Sequence, residues 1–135
     1  MQLLYYDSNS DRQTKNSRLL KPALNGLVSL VDVLHPHDFL GFPGAERLIL
    51  EGNYVGFLIT ALDFKYQGVL DTAILKQMEK GLEQHPNIIL LGSKPSLENY
   101  VRDYGVKVID APNGYLQTHH LPQLIGAIQS IIPRQ

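Results

Sequence analysis

The sequence predicts an α/β domain in which short strands alternate with amphipathic helices around a parallel sheet. Five apolar segments have the length and the composition of buried strands, at residues 3–6, 28–34, 54–62, 87–91 and 106–109. Apolar residues at helical spacing follow each segment. The third segment, Tyr54 to Leu62, is almost continuously apolar, which is typical of a central strand that is buried on both faces.

The first strand stops at Asp7, and residues 8–17 are almost all polar. We therefore expect a loop there, with the first helix beginning at about Leu19, where apolar residues take up helical spacing. Pro22 lies early in that pattern. It is tolerated if it falls in the first turn of the helix, and otherwise it kinks the helix.

The other helices are expected at residues 45–50, 69–82, 97–104 and 121–132. Gly105 is placed to close the fourth helix, and Pro122 suits the first turn of the last one. The segment His35–Gly44 contains two Pro and two Gly, and it predicts a loop after the second strand.

Five strand–helix repeats with right-handed crossovers favour the flavodoxin-like (βα)5 fold, a doubly wound parallel sheet in strand order 2-1-3-4-5. The 135 residues suit one domain, residues 1–135. In such sheets, binding sites lie beyond the carboxyl ends of the strands. The residues expected at that rim are Asp7, His35, Asp63, Gly92, Ser93, Lys94, Asp110 and Ala111.

Composition excludes several classes of function. Twelve Lys and Arg balance thirteen Asp and Glu, so there is no basic surplus that would favour nucleic acid as the partner. The absence of Cys excludes disulfides, thiolate metal sites and a cysteine nucleophile, and it fits a reducing cytoplasm. No apolar run reaches the length of a membrane span, so we expect no membrane partner.

The second half of the chain resembles the receiver domain of two-component response regulators. Gly68 stands in the loop after the third strand, and His85–Leu91 looks like the receiver's approach to its fourth strand. The segment Tyr104–Ile109 is similar to the receiver's turn into strand five, and Ala111-Pro112 falls where receivers carry Lys-Pro. In the first half, the similarity lies mainly in Leu3–Asp7.

The resemblance also implies a set of phosphorylation-site positions. A working receiver holds Mg²⁺ on acidic residues after strand one, phosphorylates an Asp at the end of strand three, and binds the phosphoryl group through a hydroxyl and a Lys. The positions that correspond here are Asp7 between Tyr6 and Ser8, Thr60 at the acceptor position with Asp63 three residues later, Gly92 at the hydroxyl position with Ser93 beside it, and Ala111 in place of the Lys. The resemblance therefore implies a receiver that has lost most of its phosphorylation chemistry.

We accordingly expect a pseudo-receiver, a non-enzymatic signalling module in the cytoplasm that acts by binding proteins, including a second copy of itself. Receivers commonly use the face of the fourth helix, fifth strand and fifth helix for such contacts. The expected contact residues are Tyr100, Tyr104, Lys107 and Tyr115. Three of them are Tyr, which is enriched at interfaces because it combines apolar area with a hydroxyl. No cofactor is expected.

Two alternatives remain open from the sequence. The first is an atypical receiver that is phosphorylated on Asp63, with Mg²⁺ held by Asp7 and Asp63 and with Ser93 as the hydroxyl. The second is a small flavodoxin-like sensor or enzyme with its site at the carboxyl ends of the strands. In that case an anion would bind near Gly92-Ser93-Lys94, because backbone N–H groups at the start of a helix favour negative charge.

Overall fold

The computed structural model describes residues 1–7, 9–33, 54–60 and 87–132. Its five strands are β1 (Gln2–Tyr6), β2 (Ser29–Val33), β3 (Tyr54–Thr60), β4 (Ile88–Gly92) and β5 (Lys107–Asp110). They form one sheet in the order β2-β1-β3-β4-β5, and every neighbouring pair is parallel. The predicted flavodoxin-like strand order is therefore confirmed.

The described helices are α1 (Ser10–Ala23), α2 (Glu98–Tyr104) and α3 (Leu121–Ile131), with two 3-10 turns at Pro95–Leu97 and Thr118–His120. Gly105 caps α2 in the left-handed conformation, and Pro122 lies in the first turn of α3, as the sequence predicts. None of the described helices combines the length and the apolar character needed to cross a membrane. The predicted helices at 45–50 and 69–82 and the predicted loop His35–Gly44 lie outside the described residues.

The prediction of a loop over residues 8–17 is wrong from Ser10 onward, because α1 begins at that residue. Asn9 is the N-cap, and its side-chain oxygen accepts a hydrogen bond from the Arg12 N–H at 2.9 Å. The buried residues in the first half of α1 are polar: Arg12, Gln13, Asn16 and Ser17. Apolar periodicity cannot reveal a helix whose inner face is polar, so the pattern becomes visible only at Leu19.

The misplaced helix start also explains the error at Pro22. This residue lies in the last turn of α1, not the first, and the helix ends one residue later. Proline lacks an N–H and clashes with the preceding turn, so the end of a helix is a position where it costs little. Hydrogen bonds from Leu24 N–H to the Leu20 carbonyl and from Asn25 N–H to the Pro22 carbonyl close the turn.

The three central strands, β1, β3 and β4, are buried on both faces over most of their length, as is typical of a parallel sheet. Successive residues of β1 point to opposite faces, and Leu3 to Tyr6 all have no exposed surface. On one face, Leu3 and Tyr5 pack with apolar residues of α1 and α3 in a single cluster, which includes Leu20, Leu24, Leu124 and Ile128. The polar start of α1 therefore lies over the carboxyl end of a sheet face that is otherwise apolar.

Candidate functional site

Two polar side chains lie side by side where β1 and β3 end. Tyr6 is in register with Ile59, so the next residue of each strand, Asp7 and Thr60, falls at the same edge of the sheet. Neither has any exposed surface. The Thr60 hydroxyl donates a hydrogen bond to Asp7 Oδ2 at 3.0 Å. The structure thus brings together two of the receiver-like positions, the acidic one and the acceptor one.

Arg12 supplies the counter-charge for this buried carboxylate. Because α1 starts at Ser10, Arg12 lies in its first turn and reaches back to the end of β1. Its Nη2 donates to Asp7 Oδ1 at 2.6 Å, and its Nε lies 2.8 Å from Oδ2 and 3.1 Å from Oδ1. The guanidinium is only 5% exposed. This two-pronged ion pair is the arrangement in which Arg holds a carboxylate most firmly.

The Asp7 carboxylate is saturated by donors from the protein itself. Besides Arg12 and Thr60, the Tyr5 hydroxyl donates to Oδ2 at 2.9 Å and the Asn9 N–H donates to Oδ1 at 2.8 Å. A carboxylate offers about four lone-pair positions, and five N–H and O–H groups share them here. Magnesium binds carboxylates that have a free oxygen and keeps most of its waters. Asp7 has no exposed surface, and both of its oxygens already accept hydrogen bonds from the protein.

The network continues from Tyr5 into α1. The Tyr5 hydroxyl accepts a hydrogen bond from Asn16 Nδ2 at 2.8 Å while it donates to Asp7. Burial, followed by the nearby negative charge of Asp7, raises the pKa of the Tyr5 phenol far above its ordinary value. Tyr5 is therefore a neutral hydrogen-bond donor to Asp7 at neutral pH.

The loop after β5, residues 111–117, closes over this network. Asn16 donates from Nδ2 to the Gly114 carbonyl and accepts at Oδ1 from the Leu116 N–H, both at 2.8 Å. Gly114 has a φ of +75°, and a Cβ at this position would lie 2.9 Å from Thr60 Cγ2 and 3.0 Å from Arg12 Cδ. Glycine is thus required here both for the backbone conformation and for the close approach. Ala111 is buried at the start of the loop and brings no charge to the site.

The other half of the rim, after β4 and β5, is open to solvent. Gly92 ends β4 and is in register with Asp110, while Ser93 is half-buried and Lys94 is exposed. The Lys94 N–H, which an anion would need, donates instead to Asp110 Oδ1 at 3.0 Å. A carboxylate of the chain therefore occupies part of the expected anion position at Gly92-Ser93-Lys94.

The expected partner residues occupy two places along β5. Lys107 is exposed at the first position of β5, and Tyr100 and Tyr104 lie in α2, which precedes this strand. Tyr115 lies in the loop after the carboxyl end of β5 and contacts α1. Its hydroxyl donates to Asp11 Oδ2 at 3.0 Å, and Lys15 Nζ lies 5.7 Å from its ring.

Three residues that decide the chemistry of the site were not predicted from the sequence: Tyr5, Arg12 and Asn16. One signal pointed to the last two, since they are polar and four residues apart in a segment that directly follows an Asp at a strand end. The described ranges contain no group of three or more side chains that would hold a metal ion. Asp63 lies outside those ranges.

The comparisons with known proteins leave the family open. No protein-family model matches the chain, and no curated protein matches it.

Proposed function

We propose that this domain is a receiver-like regulatory module of the cytoplasm that works by binding protein partners and not by phosphorylation of an aspartate. The observation that carries the proposal is the closed state of the Asp7 carboxylate. Arg12, Tyr5, Thr60 and Asn9 take up the oxygens that a receiver would offer to Mg²⁺.

A second observation supports the loss of phosphotransfer. Thr60 ends β3, at the acceptor position that the resemblance implies, and it carries a hydroxyl instead of a carboxylate. A carboxylate at this position would stand against Asp7 and Arg12 and compete for the same guanidinium. Ala111, at the position of the receiver Lys, has no group that neutralises a phosphoryl oxygen. We therefore infer that an internal ion pair stands here where a working receiver would hold a metal ion and a phosphoryl group.

The test is incubation with Mg²⁺ and acetyl phosphate, followed by measurement of the intact mass. We expect no gain of a phosphoryl group, under conditions in which an active receiver gains one as the positive control. A gain would overturn the proposal. Repeating the incubation with Asp63→Ala would then show whether Asp63 is the acceptor, which is the alternative of an atypical receiver.

Partner binding is tested first with the domain itself. Sedimentation velocity over a range of concentrations measures self-association, and Lys107→Glu reverses the charge of an exposed residue of the proposed partner face. Arg18→Glu, a charge reversal at an exposed position of α1, is the matched control. We expect Lys107→Glu to weaken self-association and Arg18→Glu to leave it unchanged. Equal effects of the two variants would remove Lys107 from the partner face.

A further inference from the structure

His120 joins the loop after β5 to helix α3. The ring nitrogen Nδ1 of His120 accepts a hydrogen bond from the backbone N–H of Gln117 at 2.9 Å. The backbone N–H of His120 donates to the Gln117 carbonyl, also at 2.9 Å. These two bonds close the turn Thr118–His120, and His120 is itself the N-cap of α3. The backbone N–H of Leu116, the residue before Gln117, donates to Asn16 Oδ1, so this turn connects the loop over the buried network to the last helix.

The bond from Gln117 exists only while Nδ1 carries no proton. Protonated imidazole is a donor at both nitrogens, so it would place an N–H against the Gln117 N–H. The cation would also stand at the amino end of α3, where the helix dipole is positive. Neutral His120 therefore suits this position, and charged His120 does not.

Groups on three neighbouring elements face the imidazole: the turn that contains it, helix α3 and the end of β5. The His119 ring lies 4.0 Å away, centroid to centroid, and α3 carries no charged side chain. At the end of β5, Asp110 provides a backbone hydrogen bond and a carboxylate that both favour the protonated ring. That carboxylate also accepts a hydrogen bond from the Lys94 N–H at 3.0 Å.

We propose that His120 is a pH-sensitive latch, meaning a hydrogen bond that forms only while the ring is neutral. Protonation of the ring breaks the hydrogen bond from the Gln117 N–H and weakens the connection between the 111–117 loop and α3. Burial, and then the charge of His119, outweigh Asp110 and lower the pKa of His120 below its ordinary value of 6.5. The folded state therefore prefers the neutral ring. The stability that the latch contributes is present above pH 6.5 and is lost as the pH falls through the lower pKa of the folded state.

The test is an NMR titration from about pH 7.5 to about pH 5, the range in which histidine changes charge. Ring nitrogen shifts of the wild type are expected to show His120 protonated on Nε2 alone at the upper end, with a midpoint below the ordinary histidine value of 6.5. The hydrogen-exchange protection factor of the Gln117 amide, corrected for intrinsic rates, is expected to fall about fivefold to tenfold, as for one lost hydrogen bond.

The matched variant is His120→Asn, whose side-chain oxygen is able to accept from the same N–H but does not titrate. In this variant we expect the Gln117 protection factor to stay within about twofold over the same range, since no acceptor is lost. The latch is disproved if the wild type keeps its protection at low pH, or if both proteins lose it equally. A ring that holds its proton on Nδ1 at the upper end would disprove it without any variant.

Discussion

Polar residues follow the carboxyl ends of the strands in both halves of the sheet rim, but one half is buried and the other is exposed. At the ends of β1 and β3, Asp7 and Thr60 are fully buried, and protein donors satisfy every carboxylate oxygen. At the ends of β4 and β5, Lys94 and Asp110 are exposed and share one hydrogen bond at 3.0 Å. A polar residue at a strand end is therefore weak evidence for a binding site by itself. What its oxygens and nitrogens already bind decides whether a ligand can be held.

The largest expected effect on stability comes from removing the buried carboxylate of Asp7, and the matching change at the exposed half of the rim is Asp110→Ala. Asp7→Ala removes the carboxylate that is paired with the buried Arg12 guanidinium, and we expect a loss of about 3–5 kcal/mol of unfolding free energy. Asp110→Ala removes an exposed acceptor and should cost less than about 1 kcal/mol. Urea unfolding monitored by circular dichroism measures both. Similar losses in the two variants would mean that burial does not distinguish the two halves.

A smaller effect is expected from filling the space above the buried half. Gly114→Ala places a Cβ against Thr60 and Arg12 at a positive φ, and it should cost about 2–4 kcal/mol. Gly105→Ala is the control, because Gly105 also has a positive φ but open space around it, and it should cost about 1–2 kcal/mol. The difference in unfolding free energy reports the close contact. Equal costs would show that the loop moves aside freely.

The smallest of the three effects concerns Tyr5 and its pH dependence. Tyr5→Phe removes one donor to Asp7 and should cost about 1–2 kcal/mol at neutral pH. The pKa of Tyr5 is raised in the folded state, so its contribution is full below pH 10 and is lost as the pH rises beyond it.

Wild-type stability should therefore fall more steeply above pH 10 than that of Tyr5→Phe. Urea midpoints measured at a series of alkaline pH values give the two slopes. Identical slopes would mean that Tyr5 ionises as easily in the folded domain as in the unfolded chain.

The pattern of apolar residues was enough to predict the sheet. The buried strands are marked by apolar runs, and right-handed crossovers leave few orders for five of them, so strand order 2-1-3-4-5 followed without coordinates. The caps at Gly105 and Pro122 followed from the restricted backbones of these two residue types. Because the strands are parallel, their carboxyl ends meet at one edge of the sheet, and this placed Asp7, Gly92 and Ala111 at the same rim.

The chemistry of that rim could not be predicted from the sequence, because it depends on contacts between distant elements. The inner face of α1 is polar, so apolar periodicity hid the helix and, with it, the position of Arg12. Arg12 follows Asp7 closely in sequence, yet Thr60 and Gly114 reach the same spot from distant parts of the chain. The spacing of residue types along the sequence shows which residues are neighbours within one helix or one strand. A buried polar network is closed by contacts between elements, and these depend on how the helix and the loop pack over the sheet.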